Sequence, residues 1–184
     1  MYTGTISMRY ARALLMFANE AGVADVVYRE ALTLRRSFRE VPALRQAMEK
    51  PVMTRDNKKR VLVQAAGGKI SGQMQKFFDL VLLEKREKYL MYINQAFIDM
   101  YRKQEKIRVG KLTTAVPVAS EEVERIRKIV VDAAGGTAEF ATKVDPVIEG
   151  GFIFEINTYR LDASIADQMR RIKQQFIEKN RRIV

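Results

Sequence analysis

The stretch KVDPVIEGGFIFEINTYRLDASI, Lys143–Ile165, decides the fold. Its double glycine, Gly150–Gly151, admits two readings. A phosphate-binding loop needs Gly-Lys-Ser/Thr running into a helix N-terminus. Here Phe152-Ile153-Phe154 follows, an apolar run of strand type. The glycines therefore read as relief for a tight strand turn or bulge. Two aspartates flank them. Asp145 precedes Pro146, a turn arrangement, and Asp162 is read as the N-cap of the last helix. A pair of carboxylates can serve as acid and base, but each has a local structural task that accounts for it.

Working outward, Thr137 to Val147, Phe152 to Ile156 and Tyr159 to Leu161 read as strands. The last helix, from Asp162, carries Ile165, Met169, Ile172 and Phe176 at i, i+4, i+7, i+11. Upstream, Ile107 to Val118 is rich in Val, Thr and Ile and reads as a strand. Ser120 is placed to cap a helix, with Glu121 and Glu122 where the helix dipole favours anions. Ile126, Ile129, Val130 and Ala133 form its inner face, and Gly135–Gly136 ends it.

Before Lys106 the period is helical. Ser7 is placed to cap a first helix with Tyr10, Leu14, Phe17, Ala18 and Ala21 on one face, closed by Gly22. Val27, Ala31, Leu34 and Phe38 mark a second. Pro42 suits the first turn of a third, which Pro51 stops. Thr54 caps a fourth, running to Gly67–Gly68. Ser71 caps a fifth with Met74, Phe77, Phe78, Val81 and Leu82. A break at Arg86–Glu87 leads to a sixth with Leu90, Ile93, Phe97 and Tyr101. The fold class is thus α+β: a six-helix bundle over residues 1–106, then a small α/β domain over 107–184 with three or four strands and two helices.

Composition excludes whole classes of chemistry. With no cysteine and no histidine, disulfides, thiol nucleophiles, Cys/His zinc sites and Ser-His-Asp catalysis are all absent. No apolar run reaches the ~20 residues of a membrane helix, and the N-terminus lacks the layout of a signal peptide, so a soluble intracellular protein is expected. The formal charge is +11, and it is uneven: 20 Lys/Arg against 11 Asp/Glu in residues 1–106, but 13 against 11 in 107–184. Such a surface attracts RNA, anionic lipid or an acidic protein; equally, it solubilises. Lys58, Lys59 and Arg60 form the only tight basic run. Phe17, Phe38, Phe77 and Phe97 fall on apolar helical stripes, which favours core over base stacking.

RYARALLMFA, Arg9–Ala18, resembles the opening helix of the delta subunit of bacterial F-type ATP synthase, the family of the mitochondrial oligomycin-sensitivity-conferring protein. FFDLVLLEKRE, Phe77–Glu87, is similar to its fifth helix. Val144–Ile172 resembles its C-terminal signature, V-D-x-x-(L/I/M)-x-G-G followed by D-x-S, carried here by Asp145, Gly150, Gly151, Asp162 and Ser164. The chain departs from the pattern at Glu84-Lys85-Arg86 and at Glu149. The resemblance implies a structural subunit without cofactor, metal or nucleic acid. It implies that a groove between the first and fifth helices grips the N-terminal helix of an alpha subunit, and that the C-terminal domain meets the end of the b-subunit stalk. Both belong to a complex at the cytoplasmic face of the bacterial inner membrane. Tyr10, Ala13, Leu14 and Phe17, with Phe78, Val81 and Leu82, are the groove candidates, some of them necessarily core. The rival reading is a basic RNA-binding or scaffold protein; a hydrolase using Asp145 and Asp162 is a third.

Overall fold

The computed structural model describes residues 2–50, 53–119, 121, 123–125, 128, 137–156 and 159–181. The chain divides into two compact units, Met1–Gln104 and Glu105–Val184.

The first unit holds α1 (Tyr2–Glu20), α2 (Ala24–Glu40), α3 (Pro42–Glu49), α4 (Arg55–Ala65), α5 (Gly72–Leu83) and α6 (Leu90–Gln104), with a 3₁₀ turn, Glu87–Tyr89, leading into α6. Its punctuation is chemical. Pro42 opens α3, where its missing N–H costs nothing. Thr54 accepts from the Asn57 N–H at 3.4 Å and caps α4; Ser71 accepts from the Met74 N–H at 3.2 Å and caps α5. The core is built from Val27, Ala31, Leu34 and Phe38 of α2, Met74, Phe77, Phe78, Val81 and Leu82 of α5, and Leu90, Ile93, Phe97 and Ile98 of α6. Tyr28 and Tyr101 stack at 4.3 Å, and Arg102 Nε donates to the Tyr28 hydroxyl at 2.8 Å.

Two expectations need correction here. Ser7 does not begin α1. The helix already runs from Tyr2, and Ser7 is buried on its inner side with Ala11, Leu14 and Ala18. This i, i+4, i+7, i+11 stripe is small enough for α1 to lie along α6. The buried face is consequently turned from the predicted one: Tyr10 and Phe17 are half-buried at its edge and Ala21 is exposed. The basic run is also not a free patch. Lys58 is buried, its Nζ donating to the Met48 carbonyl at 2.9 Å and to Glu87 at 2.6 Å. Lys59 pairs with Asp79 at 2.8 Å. The expected stop at Pro51 lies outside the described residues.

The second unit is a four-stranded mixed sheet: β1 (Ile107–Thr114), β2 (Thr137–Val144), β3 (Gly151–Ile156) and β4 (Tyr159–Ser164), ordered β2-β1-β3-β4. β1 and β2 are parallel, and residues 121, 123–125 and 128 between them are helical, as a parallel crossover requires. The other pairs are antiparallel. Ser120, Glu122, Ile126, Ile129, Val130, Ala133 and Gly135–Gly136 lie outside the described residues. The register sorts the two faces of the sheet. Lys111, Glu155 and Arg160 stand opposite one another on successive strands and form exposed ion pairs. Gly110 sits opposite Phe140, and its bare Cα gives room for the edge-to-face packing of Phe140 on Phe154 at 5.4 Å.

The strand ends differ from expectation. β1 stops at Thr114, whose Oγ1 donates to the Val116 carbonyl at 2.8 Å. β2 stops at Val144, because Pro146 has no N–H for a ladder. Pro146–Ile148 form a 3₁₀ turn, with Asp145 accepting from the Val147 N–H at 3.3 Å. β4 continues to Ser164, so the terminal helix is Ile165–Arg181 and Asp162 is not its cap. Pairing of Ile153 with Asp162 and Gly151 with Ser164 holds both residues in the ladder. Ser164 caps instead: its Oγ accepts from the Asp167 N–H at 3.2 Å and donates to Asp162 at 2.6 Å. Asp162 supports the cap from behind.

Gly151 is fixed by this pairing. Its φ is +71°, and a Cβ there would run into the Ala163 carbonyl of β4. Gly151→Ala is expected to cost at least ~2 kcal/mol. Hydrogen exchange should show amide protection lowered at least ~30-fold in β1–β4 and kept in α1–α6.

Candidate partner-binding surfaces

The position of α5 is set from its N-terminus. Glu30 of α2 is a buried carboxylate that accepts from both the backbone N–H and the Oγ of Ser71, the latter at 2.8 Å. A negative charge at a helix start suits the dipole. On the outer side, Arg55 donates to the Asp79 carbonyl at 3.1 Å and Lys59 to its carboxylate. α5 is thus tied to α2 and α4 with a defined rotation. Phe77, Phe78, Val81 and Leu82 turn inward, which leaves Leu80 44% and Leu83 59% exposed.

α1 lies on the other side of that exposed edge. Met8, Arg9, Arg12, Ala13 and Met16 of α1, Leu80 of α5 and Glu84 just after it line an open groove of about 970 Å³. A smaller depression of about 240 Å³ is lined by Ala13, Leu14, Phe17, Lys76, Phe77 and Leu80. The two share Ala13 and Leu80, so they form one channel between α1 and α5. Its floor is apolar. Lys76 Nζ stands 6.0 Å above the Phe17 ring.

Of the residues singled out from the sequence, Tyr10, Ala13, Leu14 and Phe17 border this channel. Phe78 and Val81 are fully buried and Leu82 nearly so; they are core beneath it. Met8, Met16 and Leu80 were not singled out, yet they present the largest apolar side chains of the groove, Met16 at 57% exposure. A signal for Leu80 exists. The run FFDLVLL is apolar on nearly all sides, more than one buried face needs.

A second uncovered apolar surface lies on the other unit. The terminal helix is fastened at its start, where the Ile165 N–H donates to the Gly150 carbonyl at 3.1 Å. Beyond that, Met169, Ile172, Phe176 and Ile177 remain exposed, Phe176 at 65%. The stripe predicted from spacing is real, and the protein leaves it open.

The two signature aspartates make local bonds. The Ser164 hydroxyl donating to Asp162 holds that carboxyl below the usual carboxylate range; the Lys143 ammonium does the same for Asp145. A general acid needs the opposite shift. Among the described residues no group of acidic side chains is placed to hold a metal ion, and no helix is long and apolar enough to cross a membrane.

A helical unit followed by a mixed four-stranded sheet, each with apolar side chains exposed in rows, has the form of a subunit that docks on partners. The profile of one family, described as "ATP synthase delta (OSCP) subunit", matches residues 6–176. The chain is similar to the ATP synthase subunit delta of Phocaeicola vulgatus, 57% identical over the full length of both chains, and to that of Bacteroides thetaiotaomicron, 49% identical, again over both full lengths. A chain of the Toxoplasma gondii mitochondrial ATP synthase hexamer, solved by cryo-electron microscopy, shares the fold with a TM-score of 0.63 at 22% identity, covering 93% of this chain and 97% of that one. The protein belongs to the ATP synthase delta (OSCP) subunit family. It is a structural subunit of the peripheral stalk of F-type ATP synthase and not an enzyme.

Glu30→Ala leaves the Ser71 N–H and hydroxyl without their acceptor, so a loss of ~1–3 kcal/mol is expected in urea unfolding of the helical unit. Asp162 has a folded pKa below its unfolded one. Its contribution is therefore complete above about pH 4 and fades as pH falls through the lower folded value. Protection of the amides in β4 and the first turn of the terminal helix should drop over that acid range. In Asp162→Asn, which cannot ionise, this part of the acid loss should disappear.

Proposed function

We propose that this subunit joins the catalytic head of the synthase to its stalk through the two surfaces described. The channel between α1 and α5 receives the N-terminal helix of an alpha subunit. The C-terminal unit, through the open stripe of its terminal helix, meets the end of the b-subunit. The delta-family chain then works at the cytoplasmic face of the bacterial inner membrane and holds the head against rotation.

The observation that carries this reading is that each compact unit exposes an apolar surface of helical dimensions. An α-helix with its side chains is about 10–12 Å across, and an amphipathic helix laid in such a channel buries apolar area without disturbing either fold. Ala13 at the channel floor allows close approach. A mechanical link needs two attachments on bodies that are each rigid. A core-packed bundle and a hydrogen-bonded sheet meet that need. The rival RNA-binding reading is weakened by Lys58 and Lys59, whose charges are spent on Glu87 and Asp79.

The test is a calorimetric titration of the full chain with a peptide of the first ~20 residues of the same organism's alpha subunit, a helix of about 30 Å. Met16→Asp and Leu80→Asp, both at exposed positions, should weaken binding at least ~10-fold with the circular dichroism unchanged, since each places a charge on the apolar floor. Ile172→Asp should leave that titration untouched and instead impair capture of the C-terminal segment of the stalk's b-chain. Tight peptide binding indifferent to Met16 and Leu80 would move the docking site elsewhere.

A further inference from the structure

Resting on the reading of the α1–α5 channel as a docking site, we propose that the helix it accepts is acidic along one edge, with carboxylates that meet Arg9 and Arg12. Both arginines are exposed and line the groove, three residues apart on α1 and so one turn apart on one wall. Neither has an ion-pair partner among the described residues. Four other cations of this unit are paired: Arg29 with Asp25, Arg45 with Glu49, Lys58 with Glu87, and Lys59 with Asp79. Lys76, on the α5 side, adds a further positive charge farther along the channel. Glu84, the carboxylate that lines the groove among the described residues, sits on the opposite wall, directly after the last turn of α5.

At its Glu84 end the channel is therefore polarised across its width: positive on α1, apolar side chains between, negative just past the end of α5. A helix matching it has an apolar face between an acidic edge and a neutral or basic one. The shape favours a helix over a lipid surface. Ala13 and Leu80, both accessible, line the two adjoining depressions between α1 and α5, and a helical ridge laid there meets both walls. The same polarity gives part of the excess positive charge of residues 1–106 a use. Rim charges raise the rate of encounter and set the orientation of docking, while burial on the floor sets how long the complex lasts.

The experiment uses the full chain and the peptide from the alpha N-terminus, at low and at moderate salt. Arg9→Glu with Arg12→Glu should weaken binding about 5- to 10-fold at low salt, with the difference shrinking as salt screens exposed charges. Replacing the peptide's Asp and Glu by Asn and Gln should weaken binding to the unaltered chain by a similar factor. A peptide with Lys at those positions should bind the double variant better than it binds the unaltered chain. A peptide that binds the unaltered chain tightly yet is indifferent to both sets of changes overturns this inference and leaves the docking reading standing. If the peptide does not bind at all, the docking reading fails and the acidic edge falls with it. Arginine-dependent binding to phosphatidylglycerol vesicles, with none to the peptide, would overturn it in favour of a lipid contact.

Discussion

The buried carboxylate of Glu30 is the constraint on which the helical unit turns. It accepts two bonds from Ser71, the residue that caps α5, and so fixes where α5 begins. A charge this enclosed is tolerated only when its lone pairs are used and a positive potential faces it. Both conditions are met at a helix N-terminus. Once the start of α5 is set, its rotation follows from Phe77, Phe78, Val81 and Leu82, and the leftover edge with Leu80 must face α1. The channel is thus a consequence of how α5 is held. Its other wall is set by the packing of α1 along α6.

The second unit solves a comparable problem with backbone. Gly151 enters β3 in a conformation closed to side chains and lies against the Ala163 carbonyl. That closeness carries β4 on to Ser164 and delays the terminal helix until Ile165. Asp162 and Ser164 then form a two-residue relay into the first turn of that helix. Among the described residues it is the start of the helix that is fastened to the sheet, and its apolar stripe faces outward.

Both units expose apolar side chains in rows, which an isolated protein has no reason to keep. Membership in the ATP synthase delta (OSCP) subunit family supplies the reason: the chain is built to be held by neighbours. The basic surface fits the same picture. Charges that stabilise the bundle are paired internally, as with Lys58 and Glu87, while Arg9 and Arg12 stand unpaired among the described residues beside the channel.

Much of this was legible in the primary structure, because helical and strand periods are local properties of the chain. The stripes of α2, α5 and α6, the caps Thr54 and Ser71, the proline at the head of α3 and the strand character after Gly151 depend on neighbours within a few residues. The family resemblance was legible for the same reason, in contiguous motifs. What the sequence left open depends on contacts between distant segments. Ser7 resembles a cap until α6 is seen to claim the face it lies on. Asp162 resembles a cap until β3 pairs with it and passes the task to Ser164. Lys58 resembles a surface charge until the Met48 carbonyl and Glu87 enclose it. Met8, Met16 and Leu80 became groove residues only when two helices, far apart along the chain, were brought side by side. Local pattern decides which face of an element is apolar; tertiary packing alone decides which part of that face is covered and which part is left for a partner.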